Sequence, residues 1–512
     1  MSDEIKDIQT SESDKPLTAK KETSSYRSIF KATSLFGGVK VYEILIEIIK
    51  SKFIAILLGP LGVGIQGLYS SGVQMIQQLT AMGLSQSAVR NVAEAYGTGD
   101  NKKVSEVVTA LRKFVWFTGI LGMLCVIVFS PLLSKSSFGD SAHIIGFIII
   151  SVTLLINQLT AGQRVVLQGT RKYSLLAKCT AIGVTAGLFI SIPLYYFWGT
   201  DAIVPNFVIS SITAFLIAWY FSRKVPVEKT RLSKNDLKFH GKTMITMGVA
   251  LSLTQLLGST SSYVLRSFIR NMGGVEAVGL FTAGFILMRQ YTGLVFQAMS
   301  TDFYPRLAAV NKDNSRCRDI MNQQGEVGLL LLGPLMVVCV VFIPIVVRIL
   351  YSEEFLAVND YVIWCAVGVI FQMASWSVSH IFIAKAESKL FFINELCASI
   401  YSLGLNLLGY YWGGLTGIGI SYVVNYILYL LQVYLIAHHK YAFSFSSSLL
   451  IIFVVEILFV IAALLMVVFL PELMKYVLGS ILVCVAGAYS LKELNKRMDL
   501  LSFIKKNKKK IG

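Results

Sequence analysis

Charged side chains are scarce in this chain: 15% of its 512 residues are Asp, Glu, Lys or Arg, while 55% are hydrophobic. Soluble chains carry about a quarter of their residues charged, so a water-facing surface of ordinary extent is excluded. Cysteine and histidine are few, at 7 and 5 residues. The cysteines show no C-x-x-C spacing and their number is odd, which argues against a disulfide framework and a thiolate metal site. The pair His438-His439 has no further ligand near it in sequence, so no metal is expected. We read no G-x-S-x-G, P-loop, H-E-x-x-H or glycine-rich dinucleotide loop. Neither enzyme activity nor a cofactor is therefore expected.

Long apolar runs fill the space that charge leaves. Mean hydropathy is +0.66, and the apolar residues fall in blocks of the ~20 residues that cross a bilayer as helix. A hydropathy window predicts about fourteen spans, at 32–50, 62–83, 107–132, 143–163, 173–198, 202–221, 243–265, 274–299, 325–350, 359–383, 389–410, 413–437, 447–470 and 473–490. The fold class expected is an all-α polytopic membrane protein, with two pseudo-symmetric six-helix lobes and a C-terminal helical hairpin. A polar, disordered cytoplasmic tail is expected over 1–30, without the apolar h-region of a cleavable signal. The N-lobe then covers 31–221, a basic linker 222–242, the C-lobe 243–437, the hairpin 438–490 and a basic tail 491–512.

The two lobes are inferred from an internal repeat. Val63-Gly64-Ile65 recurs as Val278-Gly279-Leu280, 215 residues further on. Lys52 precedes a glycine-rich turn and a long apolar helix, and Arg90 follows that helix. Arg266, Gly273-Gly274 and Arg306 repeat the order in the second copy. An even number of spans per copy makes both enter the membrane in one direction, so an axis along the membrane normal should relate them.

Net charge is +17, and the cations are concentrated in the tails and in alternate loops: Lys102 and Lys103, Arg171 and Lys172, the linker, Arg316 and Arg318, Lys385, and Lys440. The positive-inside rule places these loops and both termini in the cytoplasm. Membrane lipids are expected partners, because such charge faces anionic headgroups. Nucleic acid is not, since no stacking aromatics are interleaved with the basic tails.

Polar residues inside the spans carry the functional information. A cation at mid-bilayer costs about 2.5–3.5 kcal/mol on insertion scales, and so faces a cavity or a partner. Lys40, Glu43, Glu47 and Lys50 share one helical stripe, which is either self-neutralising or the wall of a wet cavity. Arg289 sits near the middle of its span with no acid within four residues, and its repeat partner is Gln74. Arg164 and His380, at span ends, either line the cavity or snorkel into headgroups. The same choice applies to Lys52, Arg266 and Arg270. Recurrence of cations in both copies favours a focused positive field in a cleft between the lobes. Such a field suits an anionic cargo, and an arginine fork can bind two phosphate oxygens at once. Glu395, beside Asn394, has no adjacent cation. It is either a coupling-ion or proton site or the counter-charge of a cavity arginine.

Three stretches carry a family resemblance. They are Ile54 to Arg90, with its Gly59-Pro60-Leu61-Gly62-Val63-Gly64 run; Tyr263-Val264-Leu265-Arg266 through Pro305-Arg306; and Tyr351-Ser352-Glu353-Glu354-Phe355 through Ile383-Ala384-Lys385. These resemble the Wzx-type flippases of lipid-linked oligosaccharides, with the O-antigen and enterobacterial lipid III type nearest in pattern. That family lies in the multidrug/oligosaccharidyl-lipid/polysaccharide exporter superfamily, and the resemblance runs over spans 1–12. It implies two six-helix lobes in a V around a cationic cavity. It also implies alternating-access movement of an undecaprenyl-diphosphate-linked oligosaccharide from the cytoplasmic to the outer leaflet of a bacterial inner membrane, for surface polysaccharide assembly. Polysaccharide polymerase machinery is a further implied partner. Arg266 and Lys52 stand where the family shows an arginine and a lysine. Arg266 and Arg289 are then expected to contact the diphosphate, with Arg270 and Lys52 supplying field. The polar N-terminal tail and the extra hairpin depart from the pattern. Two other readings stay open: an ion-coupled multidrug antiporter of the same superfamily, which would want acids in its cavity, and a membrane polysaccharide polymerase or ligase, which would want a large outward loop.

Overall fold

The computed structural model describes residues 17–228, 230 and 232–498, and among these no strand occurs. The helices are α1 (Leu17–Ala81), α2 (Leu84–Gly97), α3 (Asn101–Phe138), α4 (Ile144–Gly169), α5 (Tyr173–Trp198), α6 (Ile203–Ser222), α7 (Lys234–Ala309), α8 (Asn314–Leu350), α9 (Asn359–Ala384), α10 (Ser388–Tyr441), α11 (Ser447–Phe469) and α12 (Glu472–Met498). Helix α1 begins inside the stretch expected as a disordered tail. Residues 1–16 and the basic tail over 499–512 lie outside the described residues.

Three pairs of expected spans follow one another without a loop, each pair being two helices joined at a kink. Spans 1 and 2 are α1, spans 7 and 8 are α7, and spans 11 and 12 are α10. The kinks fall at Gly59 (φ 61°, ψ −172°), Gly274 (φ 82°, ψ 179°) and Gly413-Gly414. Gly59, Gly274 and Gly414 all have positive φ, where a Cβ would be strained, so one glycine re-aims the chain with no loop between the halves. Nine helical stretches among the described residues are long and apolar enough to cross a membrane. That is fewer than the fourteen spans expected. Merged pairs count once, and α1, with Lys40, Glu43, Glu47, Lys50 and Lys52 in its first half, is not among them.

The 215-residue register recurs in the backbone. Helices α4 and α9 begin and end 215 residues apart, as do the first residues of α5 and α10. Positive φ recurs at that offset in Gly59 and Gly274, Arg171 and Ala386, and Gly199 and Gly414. After α4, Lys172 N donates to Leu167 O at 2.9 Å; after α9, Glu387 N donates to Phe382 O at 2.9 Å. Each bond closes the same C-terminal helix motif. Helices α3 and α8 open alike too, since Asp100 and Asp313 each accept two backbone N–H groups of the first turn. A buried lock repeats with its partners exchanged. Ser191 Oγ donates to Asn206 Oδ1 at 3.0 Å in the N-lobe, and Ser421 Oγ to Asn406 Oδ1 at 2.7 Å in the C-lobe.

The lobes meet where α1 crosses α7. A Cβ on Gly64 would overlap the Val275 carbonyl, and one on Gly279 would overlap the Pro60 carbonyl. The contact is reciprocal at the repeat offset, as a two-fold relation demands, and only glycine allows the backbones so close. Gly62, Gly64 and Gly67 do have dinucleotide-loop spacing, contrary to our reading of the sequence. They lie within a helix, however, with no strand before them, and Gly67 packs on Thr282. Helices α11 and α12 pack on α8. There Gly333 faces the Glu456 carboxyl, Ser490 Oγ donates to Glu456 Oε1 at 2.7 Å, and Arg497 Nε donates to Glu326 Oε2 at 2.7 Å.

Candidate substrate cleft

From the glycine crossing, a polar cleft runs between α1 and α7 toward the helix ends that adjoin the Lys/Arg-rich loops. Its inner part is a cavity of about 650 Å³ lined by Ser70, Gln74, Gln78, Ser262, Arg266 and Arg289, among others. Ile286 and Arg289 also line a second cavity of about 450 Å³, where Lys40, Glu43 and Glu47 form the opposite wall. The stripe on α1 and the mid-span arginine of α7 thus face one space, as expected from the cost of burying either in lipid. Lys40 pairs with Glu43 at 3.0 Å, so stripe self-neutralisation and cavity exposure hold together.

Arg266 is 8% exposed. Its guanidinium bonds the Ser262 hydroxyl, reaches Thr282 Oγ1 at 3.4 Å, and lies 5.4 Å and 5.6 Å from the ring centroids of Phe281 and Phe285. All these partners are neutral. Arg289 is exposed to the cleft and has no ion pair among the described residues. No carboxylate lines the inner cavity. The inner cavity therefore sets two guanidiniums beside hydroxyl and amide groups, a lining chemically suited to an anion, while the carboxylates of Glu43 and Glu47 belong to the second cavity that Arg289 also borders.

Other expected site residues lie elsewhere. Lys52 Nζ donates to Arg348 O at 3.0 Å and to Tyr351 O, at the C-terminal end of α8. It therefore does not line the cleft: unpaired carbonyls at a helix end draw a cation, and the bond joins α1 of one lobe to α8 of the other. Arg270, one turn beyond Arg266, bonds Asn271 Oδ1 at 2.5 Å and lies against Gly139, beyond the cleft. Arg164 is turned inside the N-lobe, against the Cys179 thiol. His380 is separated from the cleft as well. It lines a cavity of about 390 Å³ between α9 and α10 that also holds Glu395, Tyr426 and Tyr429. There Tyr429 OH donates to Glu395 Oε1 at 2.6 Å, Asn394 Nδ2 donates to the same oxygen at 3.2 Å, and Gln432 Nε2 donates to Asn394 Oδ1 at 2.8 Å. Glu395 is thus held by neutral donors and is not the counter-charge of a cleft arginine.

Sequence reasoning missed the neutral lining of the cleft, namely Gln78, Gln255, Ser259, Ser262 and Thr282. The signal was present, since Ser259, Ser262 and Arg266 stand three and four apart within an apolar run, as do Gln74 and Gln78. The tyrosines around Glu395 gave no such signal, because aromatic residues in spans are ordinarily packing.

Two kinked-helix lobes meeting at a reciprocal glycine crossing, with a polar cleft between them, define an integral multi-pass membrane protein of the transporter and flippase class. A family model described as "Polysaccharide biosynthesis protein" matches residues 53–360, and the chain belongs to that family. No curated protein matches the chain. Among solved structures, an inward-facing multidrug resistance MATE family transporter of the MOP superfamily is similar at 15% identity and TM-score 0.64, covering 78% of this chain and 94% of that one. The lipid II flippase MurJ in an inward closed conformation is similar at 14% identity and TM-score 0.61, covering 92% of this chain and 100% of that one. A MOP superfamily transporter from Pyrococcus furiosus is similar at 14% identity and TM-score 0.55, covering 80% and 96%. These likenesses establish the MOP-superfamily transporter fold.

Proposed function

We propose that this protein is a flippase that moves an undecaprenyl-diphosphate-linked oligosaccharide from the cytoplasmic to the outer leaflet of a bacterial inner membrane, for surface polysaccharide assembly. One observation carries the reading: Arg266 and Arg289 share a cavity of about 650 Å³ whose lining holds neutral donors and no carboxylate. A diphosphate and its sugars cannot cross hydrocarbon unaided, whereas the polyprenyl tail can stay in lipid. Arg266 and Arg289 bind the diphosphate, and the serines, glutamines and Thr282 of the cleft take the sugar hydroxyls. The lobes rock about the glycine crossing, exposing the cleft to one side at a time. Both termini and the Lys/Arg-rich loops lie in the cytoplasm, so the cleft faces that side in this conformation. Glu395, with Asn394, binds the coupling proton or cation. The polymerase machinery that consumes flipped glycans is a partner on the outer side.

Translocation of a labelled polyprenyl-diphosphate-linked sugar in proteoliposomes tests the reading. The double variant Arg266→Ala, Arg289→Ala is expected to lose about a hundredfold or more in rate, since each charge-assisted bond contributes about 1.5–3 kcal/mol. Arg266→Lys should fall well short of wild type, because an ammonium cannot reproduce the bidentate fork. Full translocation by the double variant would sink the cationic-cleft mechanism. Glycosyl transfer on the same substrate would instead mark a polymerase, and export of organic cations would mark a multidrug antiporter.

A further inference from the structure

A second basic site lies on the N-lobe, away from the cleft. A cavity of about 320 Å³ between α3, α4 and α6 is lined by Arg112, Trp116, Gln163, Trp219, Ser222 and Arg223, among others, and no carboxylate is among them. It shares no residue with the cavities of the cleft. Its orientation is fixed by a neighbour: Phe114, two residues before Trp116, faces α7 at Gly241. Two residues are about 200° of helix rotation. Arg112 and Trp116, one turn apart, therefore face away from α7, toward the lobe's outer surface. Trp116 and Trp219 are 50% and 38% exposed there.

The polar groups of this cavity are arranged as donors. Ser222 Oγ donates to Gln163 Oε1 at 2.5 Å, which occupies the amide's acceptor and leaves its N–H₂ group to donate. The Arg223 guanidinium lies 3.9 Å from the Trp219 ring centroid, a cation–π contact that holds its plane in place. Neither arginine has an ion pair among the described residues. Simple snorkelling would send the two cations separately into water, whereas here they converge on one recess that also holds an uncommitted amide. Two guanidiniums, an amide donor and two indole faces match a phosphate group at the end of acyl chains.

We infer that this recess binds the phosphate of a lipid from the leaflet adjoining the basic loops. The site does not depend on the reading of the cleft. The phosphate has two sources, a resident anionic phospholipid or the diphosphate of a polyprenyl carrier docking before entry, and the test separates them. Full-length protein is examined by native mass spectrometry with phosphatidylglycerol, with phosphatidylethanolamine, and with a polyprenyl diphosphate. Wild type should retain phosphatidylglycerol over phosphatidylethanolamine. The variant Arg112→Gln, Arg223→Gln should lose about tenfold in that retention, while Arg266→Gln, Arg289→Gln keeps it. Gln163→Leu, which retains both charges, should weaken retention by a smaller factor and serves if the double variant does not fold. Displacement of phosphatidylglycerol by the polyprenyl diphosphate from the Arg266→Gln, Arg289→Gln protein, with that binding lost when Arg112→Gln and Arg223→Gln are added, would assign the site to the carrier. Equal retention of every lipid by wild type and by both recess variants would overturn the inference. So would a loss confined to the Arg266 and Arg289 variant.

Discussion

In the turn between α4 and α5, Lys172 occupies the place that Glu387 takes between α9 and α10, on a backbone whose hydrogen bonds match. Deeper in the lobes the same exchange recurs. Arg164 lies against Cys179 in the N-lobe, whereas Asn394, at the register of Cys179, lies beside Glu395 in the C-lobe. The C-lobe cavity around Glu395 has no counterpart in side-chain chemistry, since Thr180, Val165 and Ala214 stand where Glu395, His380 and Tyr429 do. In the cleft, Gln74 answers Arg289. Backbone motifs are thus duplicated while charge is not. Under the proposed function this is the expected division: rocking needs two halves that move alike, while the proposed cargo, a lipid-linked glycan, has no two-fold symmetry, and a coupling site at Glu395 would act on one lobe.

The strongest way to break this comparison is Glu395→Gln. It is expected to abolish gradient-dependent transport in proteoliposomes while substrate binding remains measurable, whereas Thr180→Val at the matching N-lobe position leaves gradient dependence intact. Unchanged gradient dependence in Glu395→Gln would reduce this acid to a structural group.

A smaller effect is expected at Lys52, which the repeat aligns near Arg266 but the fold sends to the end of α8. Lys52→Ala removes charge-assisted bonds between the lobes and should shift the population toward separation at that end by about tenfold. Spin-label distances between α1 and α8 measure the shift. An identical distance distribution in the variant would show that Lys52 does not latch the lobes.

The smallest effect is at the paired turns. Hydrogen bonds from Lys440 and Tyr441 hold the Glu387 carboxyl below the usual carboxylate range. A depressed carboxyl contributes its stabilisation above that range and loses it as pH falls through the lowered value. Between about pH 5 and pH 3, hydrogen exchange in the α9–α10 turn, corrected for intrinsic rate, should quicken by at most about fivefold for so exposed a pair. The α4–α5 turn, with Lys172 in place of Glu387, should not respond. Equal acid sensitivity in both turns would remove the charge exchange as the cause.

The site was legible where a charge had no local partner. Arg289 in mid-span and the Lys40, Glu43 and Glu47 stripe had to face something polar, and they face each other's cavity. Arg266 shared the open choice of Lys52 and Arg270 near a span end, and the repeat and the family resemblance singled it out. Arg270 and Lys52 were not legible, because a long side chain near a helix end can reach carbonyls, water or a cleft, and sequence spacing does not choose among them. His380 and Arg164, read as span-end residues that line the cleft or snorkel, do neither and occupy the interiors of different lobes.

The sequence by itself determined the membrane class, the duplication and its 215-residue register, because apolar length and repetition are properties of the chain in one dimension. It also determined which polar residues could not remain in lipid. Tertiary structure alone decided that paired spans join at glycine kinks with no loop between them, that α1 and α7 cross at Gly64 and Gly279, and that Glu395 lies in a different cavity from Arg266 and Arg289. Those outcomes depend on helix rotation, and a step of one residue turns a side chain by about 100°, so the partner it meets is fixed only when helices from distant parts of the chain pack.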